Sequence, residues 1–352
     1  MACYVNGIGA ISPQKQFTTE GLLSEPLDYS GERLTCVEPD YAGYFDVRQL
    51  RRMSRIIRMG MAAGIDALRE GGLKVPDGII TGTGYGCLDD TGAFLSKMIE
   101  NQETALNPTP FIQSTHNTIG SQLALLLQCQ GYNQTYTQRG LSFENGLTDA
   151  IMMIADDPTQ RLLAGAADET TTVSHDILRR FNLFRRNSAS SLNLLKTQAK
   201  GTLNGEGAAY FLLSSRREPG AVELQGVQSF YKPSPKELES GIADFLRAHS
   251  VQHDDVDVLF TGKCGDASSD TGIEAITALF PHSTEAAFKH LTGEFPGAQA
   301  IAMAIACRMI QSGTVPSVVV QRNANRKPRQ ILIYNRYLNT YHSLILLAAS
   351  NG

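Results

Sequence analysis

The sequence predicts an α/β fold. Two observations carry that reading. Apolar, strand-like runs alternate with segments of helical periodicity. A strand-like restart after residue 220 also repeats the character of the N-terminus. Pattern alone goes no further than α/β with a hint of duplication. The 352 residues can bury a large core, as two domains or one large α/β unit.

Taken in order, YVNGIGAIS reads as a first strand and turn. Arg51 to Glu70 reads as a helix, because Met53, Ile56, Ile57, Met61, Ile65 and Leu68 recur at helical spacing. Gly71 and Gly72 stop it. GIITGTGYG is a buried strand running into a glycine turn. Thr118 to Gln130 is helical, TYT (135–137) is strand, and Leu141 to Ala155 is helix again. RLLAGAA is the next buried strand, and AAYFLLSS closes the first half. The polar stretch SSRREPGA (214–221), broken by Pro219 and Gly220, is the best boundary. AVELQGVQSFY restarts with a strand. VDVLFTG, the stretch 286–313 and SVVVQ continue the alternation, and SLILLAAS ends it.

Composition excludes several classes. A net charge of −4 gives no argument for nucleic acid or membrane partners. Six scattered cysteines without paired spacing suit a reducing compartment, with neither a disulfide frame nor a zinc site. They read as small apolar core residues. No apolar run reaches the roughly 20 residues that span a bilayer. The start, MACYVNGIGAIS, lacks the basic region of a signal peptide, so a cytoplasmic protein is expected. No cofactor or metal is expected; Cys264 in KCGD has no ligand spacing around it.

RRMSR (51–55), GTGYG (82–86), AGAADE (164–169), GTLNGEGAA (201–209) and the KHLTG (289–293) leading into EFPGA (294–298) occur in that order. Together they resemble the beta-ketoacyl synthase family, which has the thiolase fold. GTLNGEGAA and KHLTG are the specific pieces, and the resemblance covers nearly the whole chain. It implies a five-layer αβαβα body of two similar α/β halves, 1–215 and 216–352.

The family works with one cysteine and two histidines. The cysteine sits at a sharp strand-to-helix turn, where a helix N-terminus lowers the thiol pKa. Aligned through GYNQTYTQRGLSFENGLTDA (131–150), that position is Gly140, within a degenerate elbow at 139–142. Ser142 reads as a first-turn serine bonded to backbone. Arg139, just before the elbow, is either a surface residue or fills the space of a thioester. The histidines stabilise the enolate left when malonyl loses carbon dioxide. Anchoring the first on Asp270 or on Glu274 puts it on Gly262 or Lys263 respectively. The second becomes Glu294, a carboxylate of the wrong sign for an enolate. Lys289 matches the family lysine and has the spacing to pair with Glu294. Glu206, Asp270 and Lys289 remain as family motif residues. His253, His116 and His290 do not match the catalytic positions.

Loss of all three reactive groups with the frame kept resembles the silent members called chain length factors. The resemblance implies a heterodimer with an active ketosynthase, an acyl carrier protein as further partner, and a role in shaping the acyl tunnel. Tyr85 stands where the family lines the distal end of the acyl pocket, as a tunnel residue or an ordinary core aromatic. Phe111 and His116 lie in NPTPFIQSTHNTIGSQLALLL (107–127), which resembles the dimer-facing stretch, and the resemblance makes Phe111 a second acyl tunnel candidate beside Tyr85. The family's glycine-rich phenylalanine loop is replaced by YNRYLNTYHSLILL (334–347), with Tyr337 near the gating position. The competing readings are an acyltransferase with an unusual nucleophile, or a structural homodimer that binds acyl chains or carrier protein.

Overall fold

The computed structural model describes residues 2–15, 17–186, 190–197 and 199–350. In chain order, the first part runs β1 (Cys3–Ile11), α1 (Val47–Leu50), α2 (Arg55–Glu70), β2 (Gly78–Gly82), α3 (Leu88–Glu100), α4 (Pro108–Gln113) and α5 (Thr118–Leu127). It continues through β3 (Tyr132–Tyr136), α6 (Ser142–Asp156), β4 (Arg161–Asp168), α7 (Thr172–Arg180) and β5 (Gly207–Ser214). After the 215–221 link come β6 (Val222–Tyr231), α8 (Pro235–Ala248), β7 (Val258–Thr261), α9 (Ala267–Thr277) and β8 (Thr284–Ala287). The chain ends with α10 (Lys289–Thr292), α11 (Ala298–Ser312), β9 (Val320–Arg322), β10 (Gln330–Tyr337) and β11 (Tyr341–Ala349).

The strand order is β3-β2-β4-β5-β1-β6-β11-β10-β7-β8-β9. The order β3-β2-β4-β5-β1 is repeated as β8-β7-β10-β11-β6, with β9 added at the far edge. The two runs meet where Cys3–Val5 pair with Val222–Leu224.

Alternation along each strand builds the layers. In the first half Ile79, Leu163, Tyr210 and Leu212 face one core, covered by α2 and α5. Their neighbours Ile80, Leu162, Phe211 and Leu213 face a central core. In the second half Leu259, Leu332, Leu344 and Leu346 pack under α8 and α9. Phe260, Ile331, Ile345 and Leu347 face the same central core from the opposite side. Between the two halves of this sheet lie α6 and α11. The alanine-rich α11 is buried from Ala298 to Met309, with the polar Gln299 and Arg308 buried among its apolar residues. The result is the expected αβαβα stack.

One element differs from expectation. The helix expected from Arg51 begins at Arg55, because Ser54 takes an extended conformation (φ −67°, ψ 169°) and α1 ends just before Arg51. The segment 334–347, which stands in place of the family's gating loop, lies in a β-hairpin whose second strand takes in the run SLILLAAS expected to close the chain. Tyr337 pairs with Tyr341. Leu338 and Asn339 both adopt positive φ (52° and 53°), the conformation that tight hairpin turns demand.

Candidate functional site

Between β3 and α6 the chain makes a short turn over Arg139–Leu141, the segment aligned with the family's nucleophile elbow. Arg139 takes a left-handed conformation (φ 52°) and is exposed. Gly140 follows, buried. A Cβ built there would lie 2.6 Å from Cδ1, 2.7 Å from Cβ and 2.8 Å from Cγ of Tyr337. No real Cβ makes such contacts, so the space of a nucleophilic side chain is already filled by that tyrosine. Ser142 is buried, with its hydroxyl 2.9 Å from the Thr83 carbonyl and 2.8 Å from the Arg139 carbonyl. It serves the backbone of the turn.

Beside this plug sits a buried ion pair. Lys289 Nζ lies 2.9 and 2.8 Å from the two carboxylate oxygens of Glu294, and donates to the Arg336 carbonyl at 2.8 Å. Lys289 has no exposed surface. The pair does not span a helical turn as the spacing suggested; α10 ends at Thr292 and Gly293 breaks the helix at φ 76°. Burial raises the Glu294 carboxyl, and Lys289 opposes that rise. Of the two aligned positions for the first histidine, Gly262 faces this cluster. A Cβ there would lie 2.4 Å from Asn335 Oδ1 and 3.1 Å from Lys289 Cε. Lys263 instead turns away to Glu285, at 2.6 Å.

Glu144 of α6 completes the cluster. It is fully buried and accepts from Ser343 Oγ at 2.7 Å, while its Oε2 has no partner among the described residues. Burial pushes its carboxyl up to about 7, against the Ser343 bond and the nearby Lys289 charge. A raised folded-state carboxyl favours the protonated form. Its contribution is therefore present at low pH and lost as pH climbs from about 4.5 towards 7. Glu144→Gln keeps an acceptor for Ser343 and removes that loss. The variant is expected to be more stable than wild type at pH 8, by at most on the order of 3 kcal/mol, with the gap closing near pH 5. Denaturant midpoints of both proteins across that range test it; parallel curves would refute it.

The retained motif residues hold turns rather than face an open centre. Glu206 is clamped by Arg55 through two bonds of 2.6 Å and accepts from the Cys36 and Thr170 amides. Asp270 accepts from the amides of Cys264 (2.9 Å) and Gly265 (2.7 Å), folding the loop after β7. Asp168, in AGAADE, accepts from Thr83 Oγ1 at 3.0 Å and Gly84 N at 2.7 Å, which fixes the GTGYG turn.

That turn carries Tyr85, whose hydroxyl lies 3.1 Å from that of Tyr337. Both line a largely apolar cavity of about 180 Å³, with Glu294, Phe295 and Phe184 among its walls. Phe111 lies elsewhere. It is 55% exposed on α4, tilted against Phe94 at 5.2 Å. His116 is exposed, and His290 is buried and held neutral, its pKa lowered to about 4 by burial. Cys264 is buried, its thiol pushed up to about 12. Among the described residues no group of three or more His, Cys, Asp or Glu could hold a metal, and no helix is long and apolar enough to cross a membrane.

Sequence reasoning did not find Asn335, Arg336 or Glu144, and placed Tyr337 only near a gate. The one available signal was the polar pair Asn335–Arg336 interrupting the apolar alternation of β10.

The fold and the turns define a condensing-enzyme frame. Residues 7–218 match the family described as beta-ketoacyl synthase, N-terminal domain, and the chain belongs to that family. It is similar to 3-oxoacyl-[acyl-carrier-protein] synthase 2 of Vibrio harveyi, 28% identical over 140 residues, covering 38% of this chain and 34% of that protein. The protein of the same name from Vibrio cholerae matches to the same extent. The matched region thus spans about a third of these relatives' length. Among solved structures, a chain of the ishigamide ketosynthase/chain length factor superposes with a TM-score of 0.81 at 16% identity, covering 99% of both chains. A chain of the ketosynthase ApeO in complex with its chain length factor ApeC, from Xenorhabdus doucetiae, gives 0.77 at 14% identity, covering 99% of this chain and 98% of that one. At these identities the likeness is one of fold.

Proposed function

We propose that this chain is a non-catalytic ketosynthase-like subunit, a chain length factor. It pairs with an active beta-ketoacyl-acyl carrier protein synthase and shapes the acyl tunnel during fatty acid, polyene or polyketide-type elongation. The observation that carries this reading is Gly140 lying beneath the Tyr337 ring, where the family keeps its cysteine. Nothing there can hold an acyl group. The Lys289–Glu294 pair puts a carboxylate where an enolate would need a donor. Groups of this kind act as a unit, so losing them together removes the reaction.

Two surfaces support the partners. Among the described residues β3 is an open sheet edge, paired only with β2, and such edges are liabilities unless covered. Near it in sequence, α3 to α5 expose Ile99, Phe111, Ile112 and Leu125. A ketosynthase partner would cover both, and Phe111 belongs to that face. On α7 and the turn after it, Val173, Ile177 and Phe181 form an exposed stripe at helical spacing, with Arg179, Arg180 and Arg186 close by in sequence. An acidic carrier protein complements that charge.

The alternative of an unusual nucleophile gains no support, since Ser142 is committed to backbone and Cys264 is a buried neutral thiol. Incubated alone with acyl and malonyl carrier proteins, the chain is expected to remain unmodified by intact-mass measurement. Co-expressed with a ketosynthase of its own host, it should form a heterodimer that elongates. In that complex Tyr85→Ala opens the cavity and should lengthen the products. An acyl adduct on the lone chain, or a stable monomer indifferent to ketosynthase, would overturn the proposal. An unchanged product range would remove Tyr85 from the tunnel.

A further inference from the structure

A second cavity, of about 240 Å³, lies on the outer side of the second half, between α8, α9 and the β10–β11 hairpin. Leu238, Ile276 and Leu279 give it apolar walls, and Arg336 and His342 also line it. The arginine is the unusual member. Its Nε and Nη2 are both buried, and neither has a hydrogen-bond partner among the described residues. No carboxylate lies within ion-pair distance of the guanidinium among those residues, and the Glu294 charge acts on it only from further off. An arginine cannot shed its proton to escape burial, so unpaired N–H groups of this kind are costly to leave empty.

A second observation points the same way. Gly272 sits inside α9, where glycine weakens a helix. A Cβ on it would lie 2.2 Å from Arg336 Nη1. The helix gives up a side chain so that the guanidinium can occupy this place. His342 contributes no charge. Its Nδ1 lies 2.9 Å from the Tyr334 hydroxyl, and burial, with Arg336 nearby, lowers its pKa to about 4. Glu239, exposed on α8, also lines the cavity without pairing to the arginine.

We propose that this cavity binds a small amphipathic anion, with a carboxylate or phosphate head on the Arg336 fork and a short apolar body against Leu238, Ile276 and Leu279. Planar guanidinium groups suit either head through paired N–H bonds. The site is separate from the Tyr85 cavity but not remote from the plug. The Arg336 carbonyl receives Lys289 Nζ, and the next residue is Tyr337. An occupant therefore bears on the strand that fills the nucleophile position. This inference does not depend on the chain length factor reading.

Titration calorimetry of the full chain with inorganic phosphate, hexanoate and neutral hexanol tests it. At least one anion is expected to bind with a stoichiometry of one, and hexanol is not. Phosphate alone would assign a phosphate head; hexanoate alone, a carboxylate. Arg336→Met should weaken the binding by about tenfold or more while leaving the unliganded protein as stable or more so. Gly272→Ala, a change that favours the helix, should also weaken binding by crowding the guanidinium. Failure of both anions to bind at millimolar concentration, or binding that survives both substitutions, would overturn the proposal.

Discussion

Gly140→Cys is expected to destabilise the protein and to give no acyl-enzyme. The reason is space. The new Cβ would meet three atoms of Tyr337 at 2.6 to 2.8 Å, and that ring is only 3% exposed. The ring is further tethered by its hydroxyl contact with Tyr85. Overpacking of this kind costs about 1–3 kcal/mol, occasionally more. Gly140→Ala should cost a similar amount, because the Cβ does the damage. Tyr337→Ala removes two of the three clashing atoms but keeps the Cβ at 2.7 Å, so combined with Gly140→Cys it should cost less than the sum of the two single changes, a coupling that a double-mutant cycle measures. Even then no imidazole stands ready, so intact mass after exposure to acyl carrier protein should stay unchanged. A Gly140→Cys protein that unfolds like wild type and takes up an acyl group would show that the ring is no plug.

Much of this was legible from residue order because the relevant signals are local. The alternation that sends Ile79 and Ile80 to opposite cores is a two-residue pattern. The Lys289–Glu294 contact lies within one short segment, so spacing could suggest it, although Gly293 and not a helical turn delivers it. The plug was different in kind. Tyr337 reaches Gly140 only because β10 and β11 close a hairpin over the elbow, across nearly 200 residues of sequence. Spacing around Gly140 carries no trace of that. The same holds for Glu144 and Ser343, which meet at 2.7 Å although 199 residues separate them in sequence. The helix start slipped for a subtler reason. Met53 fits the apolar period, but Ser54 behind it is extended, and periodicity does not see a backbone break.

Lys289→Met is expected to be the most damaging single change, at about 3–5 kcal/mol at neutral pH, because it strands a buried carboxylate. Glu294 is 6% exposed, and the lysine is its ion-pair partner, at 2.8 Å. The loss should depend on pH with a definite sign. Burial already raises the Glu294 carboxyl above its ordinary 4.5, and Lys289, with a smaller contribution from Arg336, holds it down. Without the lysine the folded-state carboxyl rises further. Between 4.5 and that higher value the folded protein binds more protons than the unfolded chain, so stability falls as pH rises. The deficit of Lys289→Met should therefore be smallest near pH 5 and grow towards pH 8. Removing both charges in Lys289→Met/Glu294→Leu should restore most of the stability and flatten this added pH dependence, since a buried pair replaced by apolar groups is often neutral or better. Urea unfolding of wild type, single and double variants at pH 5 and 8 decides it. A single variant within about 1 kcal/mol of wild type at pH 8 would mean water reaches the pair, and the site is less closed than the contacts imply.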